Sequence, residues 1–127
     1  MPDIQPDELI AFLRRHRWGV VATVAADGGP QAAIVGIAVT DRLEVVFDTV
    51  DQSRKVRNLR RDPRIALVLG WDLDEGQTLQ LEGLADEPSG ADRARLQAIY
   101  FALAVAEDGL PLGRLAYNVM IHARRRA

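Results

Sequence analysis

Between Gly19 and Asp86 turn residues cut the chain into short apolar runs, and a single helix-like segment interrupts them. This punctuation constrains the fold more than any other feature. Gly19 to Ala25 (GVVATVA) is rich in β-branched residues and reads as a strand. Asp27-Gly28-Gly29-Pro30 is a turn. Gln31 to Thr40 reads as a second strand, in which Gly36 predicts a bulge or a close approach by something flat. Asp41-Arg42 leads to a third strand, Leu43 to Phe47. Ile65 to Leu69 and Thr78 to Asp86 follow, the latter with Gly83 as a second bulge candidate. A last strand is placed at Leu115 to Ile121, and the Arg124-Arg125-Arg126 tail reads as a disordered basic end. Hairpin-joined strands with few helices predict a mainly β fold, a small closed barrel with flanking helices. A parallel α/β sheet would need regular strand–helix alternation, which is missing.

Two flanking helices are expected. Gln5 to Arg17 has Pro6 at the first helical position, Asp7-Glu8 in the first turn and an apolar stripe of Leu9, Phe12 and Leu13. Its arginines lie near the C-terminal end, where the helix dipole favours cations. Ala91 to Ala104 carries Leu96, Ile99, Tyr100 and Leu103 on one face.

The segment between strands three and four is different. Asp48 to Gln52 reads as a polar elbow, Ser53 as an N-cap, and Asp62-Pro63 as the stop. Arg54 and Lys55 then fall in the first turn, where the dipole disfavours cations by roughly 0.3–1 kcal/mol each. Free backbone N–H groups, a hydroxyl, a guanidinium and an ammonium converge there. Such a convergence is an anion site, with phosphate its usual occupant. The bland alternative is a solvated basic helix.

The 127 residues suit one domain, and 48% hydrophobic content is enough to bury a core. The net charge of −2 argues against general nucleic-acid affinity. No apolar run approaches membrane-spanning length, and the first residues carry no secretory-leader pattern, so a cytoplasmic location is the expectation. Cysteine is absent, which removes disulfides, thiolate nucleophiles and cysteine metal sites. His16 and His122 stand in no metal-ligand spacing, Ser53 has no neighbouring His, and Asp72, Asp74 and Glu75 match no calcium loop. Trp18 and Trp71 read as packing residues, although Trp71 can also wall a pocket. Gln77 is either an exposed amide or a hydrogen-bond reader of a heterocycle. The residues offer no acid, nucleophile or metal, so a phosphorylated cofactor would bring the chemistry.

From Trp18 to Glu87 the sequence resembles the pyridoxamine 5′-phosphate oxidase-like family, the FMN-binding split β-barrels. The resemblance rests on four tokens in order: ATV-x-x-DG-x-P from Ala22, F-x-T-x-x-x-SRK from Phe47, N-L-x-x-D-P-R from Asn58, and W-x-x-x-x-x-Q from Trp71. It implies a homodimer with FMN at the subunit interface and a flavin-dependent oxidation or reduction of a small molecule. Arg54 and Lys55 would hold the phosphate beside Ser53, and Asp48 and Thr49 would line the cofactor. Strand two, including Ile34 and Val35, would lie against the ring, with Gln77 touching the isoalloxazine and Trp71 nearby. Two departures accompany it. Ala33 and Ala38 stand where pyridoxamine phosphate oxidase has basic residues, and the C-terminal region with that enzyme's substrate-binding Arg and His has no counterpart. A vitamin B6 oxidase is therefore disfavoured. The alternatives are an F420-dependent reductase of the same fold, a non-enzymatic flavin carrier, and an interaction module without a cofactor.

Overall fold

The computed structural model describes residues 5–70, 78–102 and 118–125. In chain order their elements are α1 (Pro6–Arg15), β1 (Trp18–Val24), β2 (Pro30–Gly36), β3 (Ala38–Val39), β4 (Val45–Val50), α2 (Arg54–Arg61), β5 (Arg64–Leu69), β6 (Leu79–Asp86), α3 (Gly90–Tyr100) and β7 (Asn118–Arg125). The strands form one sheet in the order β2-β1-β5-β6-β7-β4-β3, with every pair antiparallel. The sheet curls until β2, at one edge, touches β4 near the other. The product is the expected split barrel.

The core follows from strand alternation. Val21, Phe47, Ile65, Leu67 and Leu69 are buried between the curled faces, and α1 adds Leu13, with Leu9, Ile10 and Phe12 packed around it. Arg14 at the end of α1 bonds Asp41 at 2.8 Å, fixing the helix beside the β3–β4 turn.

Several boundaries differ from the sequence reading, each for a tertiary reason. The second strand breaks after Gly36, where its pairing with Trp18 ends and Ile37 N–H turns to the Arg17 carbonyl at 2.7 Å. The close approach expected at Gly36 is real, and the flat object is the Trp18 ring, 3.7 Å from where a Cβ would sit. Trp18 is 51% exposed and is not a core packing residue. Leu43 lies in the turn with φ 62° and is not a strand residue. That turn is held by Thr40 Oγ1, which accepts from Arg42 and Glu44 N–H at 3.2 and 3.1 Å.

The polar elbow is shorter than expected, because β4 runs on through Asp48, Thr49 and Val50 against Met120, Val119 and Asn118. Those partners belong to β7, which the sequence reading placed too early and ended in a loose tail. Arg124 and Arg125 in fact pair with Leu84 and Gly83. Gly83 keeps a continuous register with both neighbours and carries no bulge.

Candidate functional site

The seam between β2 and β4 leads directly into α2. Ser53 caps that helix, its Oγ accepting from Val56 N–H at 3.4 Å. Thr49 Oγ1, on the last turn of chain before the cap, lies 3.3 Å from the same hydroxyl. Two hydroxyls and the free N–H groups of the first turn therefore share one point, with Arg54 and Lys55 immediately after it. No acidic residue lies in that first turn.

The cations of α2 and its exit are sorted. Arg60 bonds Glu87 at 2.5 Å and Asp51 at 3.0 Å, and these partners hold its pKa above the ordinary arginine value. Arg64 and Asp62 form a pair at 2.6 Å. That bond draws the Asp62 carboxyl down to a pKa of about 2. Arg54, Lys55 and Arg57, by contrast, have no carboxylate partner among the described residues. Arg60 and Arg64 are thus neutralised by carboxylates, and among the described residues the cations at the helix start are not.

The helix is seated by a residue whose role the sequence did not disclose. Asn58 is 5% exposed and its Nδ2 donates to Thr23 Oγ1 at 3.0 Å. The Gln31 amide lies between Asn58 and Arg54. In one orientation its oxygen accepts from Asn58 Nδ2 at 2.6 Å, and in the other from Arg54 Nη1 at 3.0 Å. Asn58 thus clamps α2 to the β1–β2 hairpin, and Gln31 sets the place of Arg54. The available signal was an Asn on the apolar face between the buried Val56 and Leu59.

The remaining candidates divide. Ile34 and Val50 are 61% and 60% exposed, large apolar side chains on the outer surface of the two strands that meet at the seam. Val35 faces the opposite way and is buried in the core, so its side chain does not line the seam and only its backbone can. Asp48 is half-buried and accepts from the Tyr100 hydroxyl at 2.5 Å. Tyr100, expected only as a packing residue of α3, is therefore part of the site's surroundings. Trp71 and Gln77 lie outside the described residues. A separate cavity of about 240 Å³ inside the barrel is lined by Val21, Phe47, Ile65 and Leu67 among others. Among its described lining residues there is no cation. No cluster that could hold a metal occurs among the described residues.

The residues fit a phosphorylated, flat cofactor. Hydroxyls, N–H groups and two cations at the start of α2 are of the kind that can take a phosphate, and exposed aliphatic surface beside them suits a ring. Fold and site together define a split-barrel protein of the flavin-associated, oxidoreductase-like class. The family model described as pyridoxamine 5′-phosphate oxidase matches residues 5–120, and the chain belongs to that family. The pyridoxine/pyridoxamine 5′-phosphate oxidase of Burkholderia multivorans is 37% identical over 96 residues, which is 76% of this chain and 42% of the relative. The chain thus spans less than half the length of that curated relative. Among solved structures, the heme binding protein of Mycobacterium smegmatis superimposes with a TM-score of 0.77 at 20% identity, over 98% of this chain and 53% of that one. A protein described as an F420 reductase superimposes at 0.67 and 25% identity, over 100% of this chain and 97% of that one.

Proposed function

We propose that the protein binds FMN in the β2–β4 seam and acts as a flavin-dependent oxidoreductase on a small molecule. The observation that carries this reading is the start of α2. Arg54 and Lys55 stand where the dipole repels cations, with no carboxylate among the described residues to pair them, beside the Ser53 and Thr49 hydroxyls. Family membership makes FMN the natural bearer of that phosphate. In this reading FMN supplies the redox chemistry. Arg54, Lys55 and Ser53 hold its phosphate, Thr49 and Asp48 line its side, and Ile34, Val50 and the β2 backbone wall its ring. Gln77 reads the heterocycle and Trp71 shields it from water. A second copy of the chain covers the exposed seam, giving a homodimer of cytoplasmic location. Among the described residues no helix is long and apolar enough to cross a membrane.

Ala33 and Ala38 stand where pyridoxamine phosphate oxidase has basic residues, which disfavours pyridoxamine phosphate as the substrate. The N-L-x-x-D-P-R token from Asn58, which recurs in F420-binding relatives, and the likeness to an F420 reductase along the whole chain support F420 as the second reading of the cofactor. A further alternative within the fold is a flavin binder without catalysis. The test is an equilibrium titration of cofactor-free protein with FMN, riboflavin and F420. FMN should bind far more tightly than riboflavin and more tightly than F420. Equal binding of FMN and riboflavin would remove the phosphate site from the account, and a preference for F420 would replace the cofactor.

A further inference from the structure

Gln31 faces more donors than its one carbonyl can serve. It lies on β2 directly across from Thr23 of β1, so both side chains meet α2 from the β1–β2 hairpin. Asn58 Nδ2 stands 2.6 Å from one end of the Gln31 amide, and Arg54 Nη1 and Nε stand 3.0 and 3.3 Å from the other. An amide has one accepting end and one donating end, so its oxygen can serve only one of these neighbours. Asn58 has a second acceptor for the same amide group, the buried Thr23 Oγ1 at 3.0 Å. Arg54 has no other acceptor among the described residues. The Gln31 oxygen is therefore best used on Arg54. With both amides turned together, Gln31 Nε2 donates to the Asn58 oxygen, which also accepts from the Thr23 hydroxyl. What is lost is the bond from Arg61 to Asn58 Oδ1, long at 3.3 Å, and Arg61 keeps the Val24 carbonyl at 2.9 Å.

We propose that Gln31 is the positioning residue of the phosphate site, its amide oxygen turned to the Arg54 guanidinium. This rests on the FMN reading above. The neutrality of the acceptor decides its use. Arg60 and Arg64 are held by carboxylates, which fix a guanidinium and cancel its charge together. An amide fixes the side chain and leaves the charge for a phosphate. Gln31 is steadied in turn by Asn58, which is 5% exposed, so Arg54 is ordered before the ligand arrives. A side chain already ordered costs less to immobilise on binding. Gln31→Met keeps the length of the side chain and removes the amide. It should weaken FMN roughly three- to tenfold, on the scale of ordering one long side chain. Gln31→Glu should weaken FMN further, because the new carboxylate pairs with Arg54 and repels the phosphate. Riboflavin has no phosphate and should bind all of these proteins alike.

The test is titration of cofactor-free parent, Gln31→Met, Gln31→Glu, Arg54→Ala and the double variant Gln31→Met with Arg54→Ala, using FMN and riboflavin, with a melt of each apo form as the packing control. Positioning through Arg54 predicts that Gln31→Met weakens FMN in the parent and adds nothing in the Arg54→Ala background. An equal loss in both backgrounds would overturn the proposal, because Gln31 would then act without Arg54. Gln31→Glu binding FMN as tightly as the parent would also overturn it. So would a parallel loss of FMN and riboflavin with a lowered melting temperature in Gln31→Met, the mark of a residue that only seats α2. Should the parent take up no FMN, or Arg54→Ala bind it undiminished, the phosphate reading falls first and this inference with it. Should Arg54→Ala weaken FMN while both Gln31 variants bind it like the parent, only this inference falls.

Discussion

Replacing both Arg54 and Lys55 by Ala separates a ligand site from a stabilising helix start. In the empty protein these residues occupy the first turn of α2 with no carboxylate partner among the described residues. Each costs roughly 0.3–1 kcal/mol there. Arg54 is exposed and Lys55 half-buried, so solvent screening places the sum toward the low end, about 0.5–1 kcal/mol gained by the apo double variant. With FMN bound the sign reverses. A hydrogen bond to a charged group contributes about 1.5–3 kcal/mol, so losing two costs roughly 100-fold or more in affinity. Riboflavin has no phosphate and should bind both proteins alike. Added salt should weaken FMN binding to the parent and much less to the variant. The assay pairs titrations of both flavins with melts of both apo proteins. A parallel loss of riboflavin and FMN would refute the phosphate assignment. So would a sharp fall in apo stability, which would mean that the two side chains are paired within the protein.

Asn58→Ala should destabilise the protein by about 1–3 kcal/mol, because it strips the buried Thr23 of its donor and frees α2 from the hairpin. An unchanged denaturant midpoint would show that the clamp contributes nothing. The pair of Asp62 with Arg64 gives a pH signature. The folded carboxyl titrates at about 2, below its ordinary 3.8, so its contribution is present above about pH 4 and is lost as pH falls through about 2. The melting difference between parent and Asp62→Asn should therefore close across that window, and a difference that persists at the acid end would discard the pair. The outer face of β1, β2 and β5 exposes Ile34 and Val68, and sedimentation at micromolar concentration should give a dimer of the 14.0 kDa chain. A stable monomer would remove the shared cofactor seat.

What was legible in the sequence was local. Ser53, the two cations and the Asp62-Pro63 stop are signals within a single helix, and α2 runs from Arg54 to Arg61 between them. The Gly36 close approach was likewise readable, since a bare backbone in a strand needs something lying on it. What failed depended on partners far along the chain. Asp48 and Thr49 look like a turn in isolation and become strand because β7 pairs with them about seventy residues later. Arg124 and Arg125 look like a loose end for the same reason seen from the other side. Leu43 at positive φ carries no sequence signal, because leucine disfavours that region and only the surrounding turn imposes it. Asn58 and Tyr100 were visible as residues, but their roles come from Thr23, Gln31 and Asp48, which only the fold brings near.

The absorbance spectrum of freshly purified protein, with identification of whatever acid denaturation releases, tests the central claim most directly. The account predicts a yellow protein with a blue-absorbing flavin spectrum and the release of FMN at one equivalent per chain. A protein that is colourless and takes up no added FMN would contradict it, as would a haem spectrum or the shorter-wavelength band of F420.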